Sequence, residues 1–262
     1  MRADIARLDL GLRRRSTIGY TAGLVLYALA VVALYPAFKH SSSLDSLIHN
    51  DATAAALFGV SGSISSSAGW LNGNLYANLV PLIILFVTIG YGAAALAGQD
   101  EEGTLCLIAT LPLTRRAIVA QKLAAMATQA VIVAVAVAAC VIIGRSFQLT
   151  TTPAAAISTS LAVVIMALDF GLVAMAVGAL SGRRGTAIGV ATAIAAASYL
   201  VSSLAPVVAF IRPARYASLL YWSVGDNQLA GHATVADFAV LATVGIAGVI
   251  ATIAAFVRQD LH

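Results

Sequence analysis

Charge is scarce in this sequence, and so are the residues from which catalytic and metal sites are built. Only 10% of the 262 residues are Asp, Glu, Lys or Arg, while 60% are hydrophobic. A water-soluble domain carries about 25% charged residues, so that class is excluded. The two cysteines, Cys106 and Cys140, lie in a connecting stretch and inside an apolar run. They make neither a disulfide framework nor a zinc site. His40, His49, His232 and His262 are scattered, with no HExxH or similar ligand spacing. There is no GxxxxGK[ST] phosphate loop, so the chain is not expected to hydrolyse ATP, and no GxSxG nucleophile elbow. Catalysis, a resident metal and a cofactor of the chain's own are all unexpected.

What the chain has is long apolar runs. Residues 17–36, 76–97, 123–144, 157–180, 187–209 and 236–257 are each long enough to cross about 30 Å of hydrocarbon. Hydrocarbon offers no partner for an open strand edge, so each span is expected to be a helix. The fold class is therefore an all-α membrane protein with six transmembrane helices. The first run follows "RLDLGLRRRS" and is longer than the 7 to 15 residues of a cleaved signal core, so it is read as a retained span.

The net charge of +4 does not imply nucleic acid, because the basic residues follow the spans rather than one soluble face. With the N-terminus inside, eleven of the fifteen Lys and Arg fall on that side and only Lys39, Arg145, Arg212 and Arg215 on the other. Basic loops stay cytoplasmic, so both termini are expected there. Residues 1–16 place Ile5, Leu8 and Leu12 at helical spacing among Arg2, Arg7 and Arg13 to Arg15. That pattern suits an interfacial helix preceding a six-span unit over 17–262; a solvated basic tail reads equally well.

The densest charge lies in "GQDEEGTLCLIATLPLTRR", between the second and third runs. Gly103 permits a sharp change of direction, and Thr104 can cap a short helix from Leu105 to Leu111. Pro112 stops that helix, Thr114 can cap the next, and Arg115, Arg116 and Lys122 are read as interfacial anchors. The result is a short helix pinned against the membrane by two spans.

The stretch "DEEGTLCLIATLPLTRRAIVAQK" resembles the cytoplasmic loop of ABC-2 type transporter permeases: an acidic run, GTL, an apolar stretch, then Pro, a small aliphatic residue, Ser or Thr, and Arg. "SAGWLNGNLYANLVPLIIL" resembles the entry to the family's second span, and "YLVSSLAPVVAFIRPARYASLLYWSVGDNQLAG" the stretch leaving its fifth. The closing "FVRQDL" is similar to the family's usual end. The resemblance implies one permease half that pairs with a second, either a copy of this chain or a related one. It also implies two separate ATPase subunits per complex, which bind the ATP and Mg. By the same resemblance, Glu101, Gly103, Thr104, Leu105, Pro112 and Arg115 match the helix that couples ATPase movement to the spans. Glu102 departs from the family pattern by making the loop more acidic.

Within the spans, Asp169 is an ionisable group near the middle of the fourth. It is read either as a proton or cation contact, or a polar point on the substrate path, or as a neutral or hydrogen-bonded packing residue. Ala174, Gly178 and Gly182, and Gly185 and Gly189, set small residues four apart and permit close helix approach, read first as packing within one subunit. The resemblance points to the second and fifth spans as the path lining, with Thr88, Tyr91, Thr192, Ser198, Tyr199, Ser202 and Ser203 its polar or aromatic members. Residues 210–235, with Pro213, Tyr216, Tyr221, Trp222 and Asp226, fit short external re-entrant helices with an aromatic belt. Residues 39–75 are long for a loop and are expected to hold some helix.

The implied function is the membrane permease subunit of an ABC exporter in a bacterial inner membrane, carrying a lipophilic drug or antibiotic. The alternatives are the same machine moving a lipid, peptide or ion, and a non-transporting scaffold that recruits an ATPase.

Overall fold

A computed structural model describes residues 4–39, 66–104, 114–225, 228–231 and 233–258. Six helices in it are long and apolar enough to cross a membrane, and the described residues contain no strand. They are α1 (Asp4–Phe38), α2 (Ser67–Glu101), α3 (Arg115–Ile143), α4 (Pro153–Ser181), α5 (Arg184–Leu204) and α6 (Val235–Arg258). Thr114 and Thr152 start α3 and α4 by accepting the backbone N–H of Ala117 and Ala155, and Pro153 occupies a first-turn position of α4 where its missing N–H costs nothing.

Three expectations change in detail. Residues 4–16 are not a separate element: α1 runs unbroken for 35 residues. At 1.5 Å per residue it is about 52 Å long, more than the hydrocarbon can cover, so part of it must project beyond. Leu8 and Leu12 are 60% and 75% exposed, while Ile5 is buried. The buried stripe instead runs through Ile5, Asp9, Thr17, Leu24, Ala28 and Tyr35, at roughly four-residue steps. The second helix begins nine residues before the expected 76, with Ser66 as its cap. It widens into π-turns at Asn72–Tyr76 and Ala94–Gly98. The fifth ends at Leu204 rather than 209, and short helical turns follow at Ala209–Ala217 and Tyr221–Gly225.

Helix α4 is the hub. It packs against α2, α3, α5 and α6, while α1 lies on α3. Two thirds of the apolar windows of α2 and α4 are buried, against 28% for α1, 17% for α5 and 22% for α6, so the outer three present most of their surface outward. The tightest crossing is at Gly92 of α2, where a Cβ would stand 2.1 Å from the carbonyl oxygen of Gly171 in α4. Only the missing side chain lets the two backbones approach this closely. Gly178 serves the same contact lower down, facing Ala97 and Ala187; nothing lies near Gly185 or Gly189.

The helices alternate in direction, and their ends are tied together. At one end the Ile5 N–H donates to Gln121 Oε1 at 3.0 Å, the Arg184 N–H donates to Glu101 at 2.9 Å, and Arg115 donates to the carbonyl oxygens of Phe256 and Val257. At the other, Lys39 donates to Gln148, and Ser67 joins Tyr35 to Thr150. Most of the basic residues of the described chain thus gather at the end holding the starts of α1, α3 and α5, with Lys39, Arg145, Arg212 and Arg215 at the other.

Candidate functional site

Between α1, the middle of α2 and α5 the bundle leaves a groove of about 1190 Å³. It runs from Arg13, Thr17 and Tyr20 on α1, along Asn78 to Gly90 on α2, to Arg184 through Leu200 on α5. Its walls are mostly aliphatic and aromatic, and Leu82, Phe86 and Leu200 are 64%, 66% and 53% exposed, so it opens sideways. The span from Arg184 to Leu200 makes it about 24 Å long, most of the depth of a bilayer core.

The residues singled out for a path do not stay together. Thr192 and Tyr199 line the groove, and the Tyr199 hydroxyl donates to Asn78 Oδ1 at 2.7 Å. Thr88 and Tyr91 turn inward: Thr88 sits against Gly171, and Tyr91 is buried with its hydroxyl donating to Asp9. Ser198 is occupied with Ser218 at 2.8 Å. Ser202 faces a second, smaller cavity with Arg212, Arg215, Tyr216 and Tyr221, and Ser203 is half-buried and lines neither. Around that cavity Tyr216, Tyr221 and Trp222 pack edge to face or tilted, with the Arg215 guanidinium about 5 Å from the first two rings.

Beside the basic end of the groove lies a polar cluster that sequence patterning did not reveal. Lys122, expected at the interface, has no exposed surface; its ammonium donates to Asp9 at 2.9 and 3.2 Å and to Gln99 Oε1 at 2.9 Å. Asp9 also accepts the Tyr91 hydroxyl, and Arg13, one turn along α1, stacks 4.8 Å above the Tyr91 ring. The cluster joins α1, α2 and α3 where α2 runs into its exit loop. The signal was present: reading the buried stripe of the first span backwards from Thr17 in steps of four lands on Arg13, Asp9 and Ile5.

The exit loop carries out part of what was expected of it. Gly103 adopts φ +68°, in the left-handed region that glycine occupies freely, and so reverses the chain after Glu101. The Thr104 hydroxyl donates back to the Gln99 carbonyl at 3.2 Å. Glu101 is committed within the chain to the Arg184 N–H at the start of α5, where a carboxylate also suits the helix's positive end. Glu102 is exposed. Arg115, expected as an anchor, caps the last carbonyls of α6 and lies 5.3 Å from the Phe256 ring. Leu105, Pro112 and the short helix expected from Leu105 to Leu111 lie outside the described residues, as do Cys106 and Asp226.

Asp169 is 2% exposed, and neither carboxylate oxygen has a hydrogen-bond partner among the described residues. It abuts Gly245 of α6, where an added Cβ would come 2.8 Å from Oδ1. The hydrogen-bonded version of its packing role is therefore not what the structure holds. Among the described residues no group of three or more His, Cys, Asp or Glu is placed to hold a metal.

The comparison with curated proteins yields no match. A family model described as ABC-2 family transporter protein matches residues 3–261, essentially the whole chain. On that match over the whole chain, and with six apolar helices, the chain belongs to the ABC-2 family of transporter proteins, as one of its multi-pass membrane components.

Proposed function

We propose that this chain is the permease half of an ATP-driven exporter that moves a lipophilic compound, a drug or antibiotic, out across a bacterial inner membrane with both termini cytoplasmic. The observation that carries the reading is the sideways-opening apolar groove of about 1190 Å³ between α1, α2 and α5. Its size slightly exceeds the roughly 300 to 1,000 Å³ of small-molecule sites, and it is bordered by few polar groups, as a site for oily cargo should be. Membership of the family implies ATPase partner subunits. In this reading there are two per complex; they bind the ATP and Mg, and they act on the loop after α2. A second permease half, a copy or a related chain, completes the path.

The test is ATP-dependent accumulation of a lipophilic fluorescent dye in inside-out vesicles holding the permease and its ATPase. Thr192→Trp, which fills the groove from α5, should abolish accumulation while the ATPase still co-purifies. ATPase recruitment without any ATP-dependent accumulation in the unaltered complex would mean a scaffold rather than an exporter.

A further inference from the structure

The groove is apolar along its length but not at its basic end. The charged side chains that line it are two arginines, Arg13 from α1 and Arg184 from α5, with no acid among its walls. Neither guanidinium has an ion pair among the described residues, whose one salt bridge is Asp9 to Lys122. The two act on each other as like charges, and Arg13 is also within reach of Asp9 and Glu102. Asp9 is already committed to Lys122, and Glu102 lies outside the groove. One turn deeper, Gln129 lines the groove, 2% exposed; its Oε1 lies 3.5 Å from the Thr17 hydroxyl and its Nε2 has no hydrogen-bond partner among the described residues. A buried amide donor without an acceptor costs on the order of 1 to 3 kcal/mol, a cost that an oxygen entering beside it would relieve.

We infer that the groove holds an amphiphile with an anionic head, its charge between Arg13 and Arg184, an ester or acid oxygen on Gln129 Nε2, and its aliphatic tail along Leu82, Phe86 and Leu200. Guanidinium groups suit planar or tetrahedral oxyanions because they donate in a fixed fork. The tail needs walls that water does not wet, and the side opening lets it enter from the bilayer rather than from solution. The proposal rests on the export reading only in taking this occupant for cargo; its binding needs no ATPase.

The probes are lysophosphatidylglycerol and lysophosphatidylcholine of equal chain length, measured for retention on the full chain in neutral detergent by native mass spectrometry. The anionic probe should be retained about tenfold better, the change expected from a single charge-assisted hydrogen bond. Arg184→Gln, at an exposed position, and Arg13→Gln should each reduce that preference, the pair together should remove it, and Arg13→Lys should keep much of it. Arg145→Gln, outside the groove, should change nothing. Glycerol phosphate at equal concentration should compete poorly; competition on a par with the lipid would leave only a surface anion site and overturn the amphiphile. Equal retention of the two lipids, or a second copy of the chain covering the groove and excluding both, would also overturn it. Should Arg13→Gln fail to fold, Arg184→Gln alone decides the question. Intact selective binding with no dye transport would sink the exporter, not this site; transport with no selectivity would do the reverse.

Discussion

Lys122 and Asp9 stand 113 positions apart in sequence and 2.9 Å apart in the fold, both fully or nearly fully buried. With Gln99 and Tyr91 completing their hydrogen bonds, the pair ties the start of α3 to α1 at the point where α2 meets its exit loop. A buried ion pair contributes less to net stability than its geometry suggests, because both charges must be taken out of water. Breaking it one-sidedly is another matter, since an uncompensated charge stays behind.

Lys122→Met should therefore destabilise the purified protein by about 3 to 5 kcal/mol, whereas Asp9→Leu with Lys122→Met should recover most of that loss. Thermal unfolding in detergent, arranged as a double-mutant cycle, measures the coupling. Additive losses would mean that the two groups do not act as a pair.

Asp169 presents the opposite situation, a buried carboxyl with no hydrogen-bond partner among the described residues and Gly245 against it. Asp169→Asn keeps the shape and removes the ionisable group. It should leave membrane level, unfolding temperature and transport within about twofold, as expected if the residue acts through packing. Gly245→Ala should cost about 1 to 3 kcal/mol, because its Cβ would have to displace the carboxyl. A loss of transport in Asp169→Asn with unchanged stability would instead place the acid on a proton or cation path.

The six helices were legible because apolar length is a one-dimensional property, and the caps at Thr114 and the reversal at Gly103 were legible because they depend on one residue and its neighbours. Helix ends were less so: Leu204 ends α5 although the apolar run continues past Pro206, since hydropathy does not register where proline removes a donor. The polar cluster was hidden because Asp9 and Lys122 each sit among residues that look interfacial, and only packing α1 on α3 brings them together. In a membrane the exposed face is also apolar, so hydrophobic spacing does not by itself mark the side that packs on protein.

The gathering of most basic residues at one end predicts that this end faces the cytoplasm. In a background of Cys106→Ala and Cys140→Ala, Ser181→Cys should react with a membrane-impermeant thiol reagent only from the cytoplasm. Ser146→Cys, exposed beyond the far end of α3, should react only from outside. The reverse pattern would put the loop after α2 out of reach of any ATPase.

That loop can be dissected because its two glutamates have different surroundings. Glu102 is exposed, so Glu102→Lys changes surface charge and little else; if a complementary patch on the ATPase reads this loop, co-purification should weaken several-fold and more so at low salt. Glu101 accepts the Arg184 N–H at 2.9 Å, so Glu101→Lys removes a helix cap worth about 1 kcal/mol as well as reversing charge, and should lower the unfolding temperature where Glu102→Lys does not. Gly103→Val acts on geometry alone. At φ +68° a β-branched residue is strained by roughly 1 to 2 kcal/mol, and the chain relieves that strain by re-aiming the segment that follows. The ATPase should still bind this variant, but substrate should no longer stimulate its ATP hydrolysis in reconstituted membranes. All three should insert normally, because none lies in an apolar run. Full stimulation and full binding in all three would reduce the loop to a solvated connection, and ATPase movement would have to reach the groove by another route.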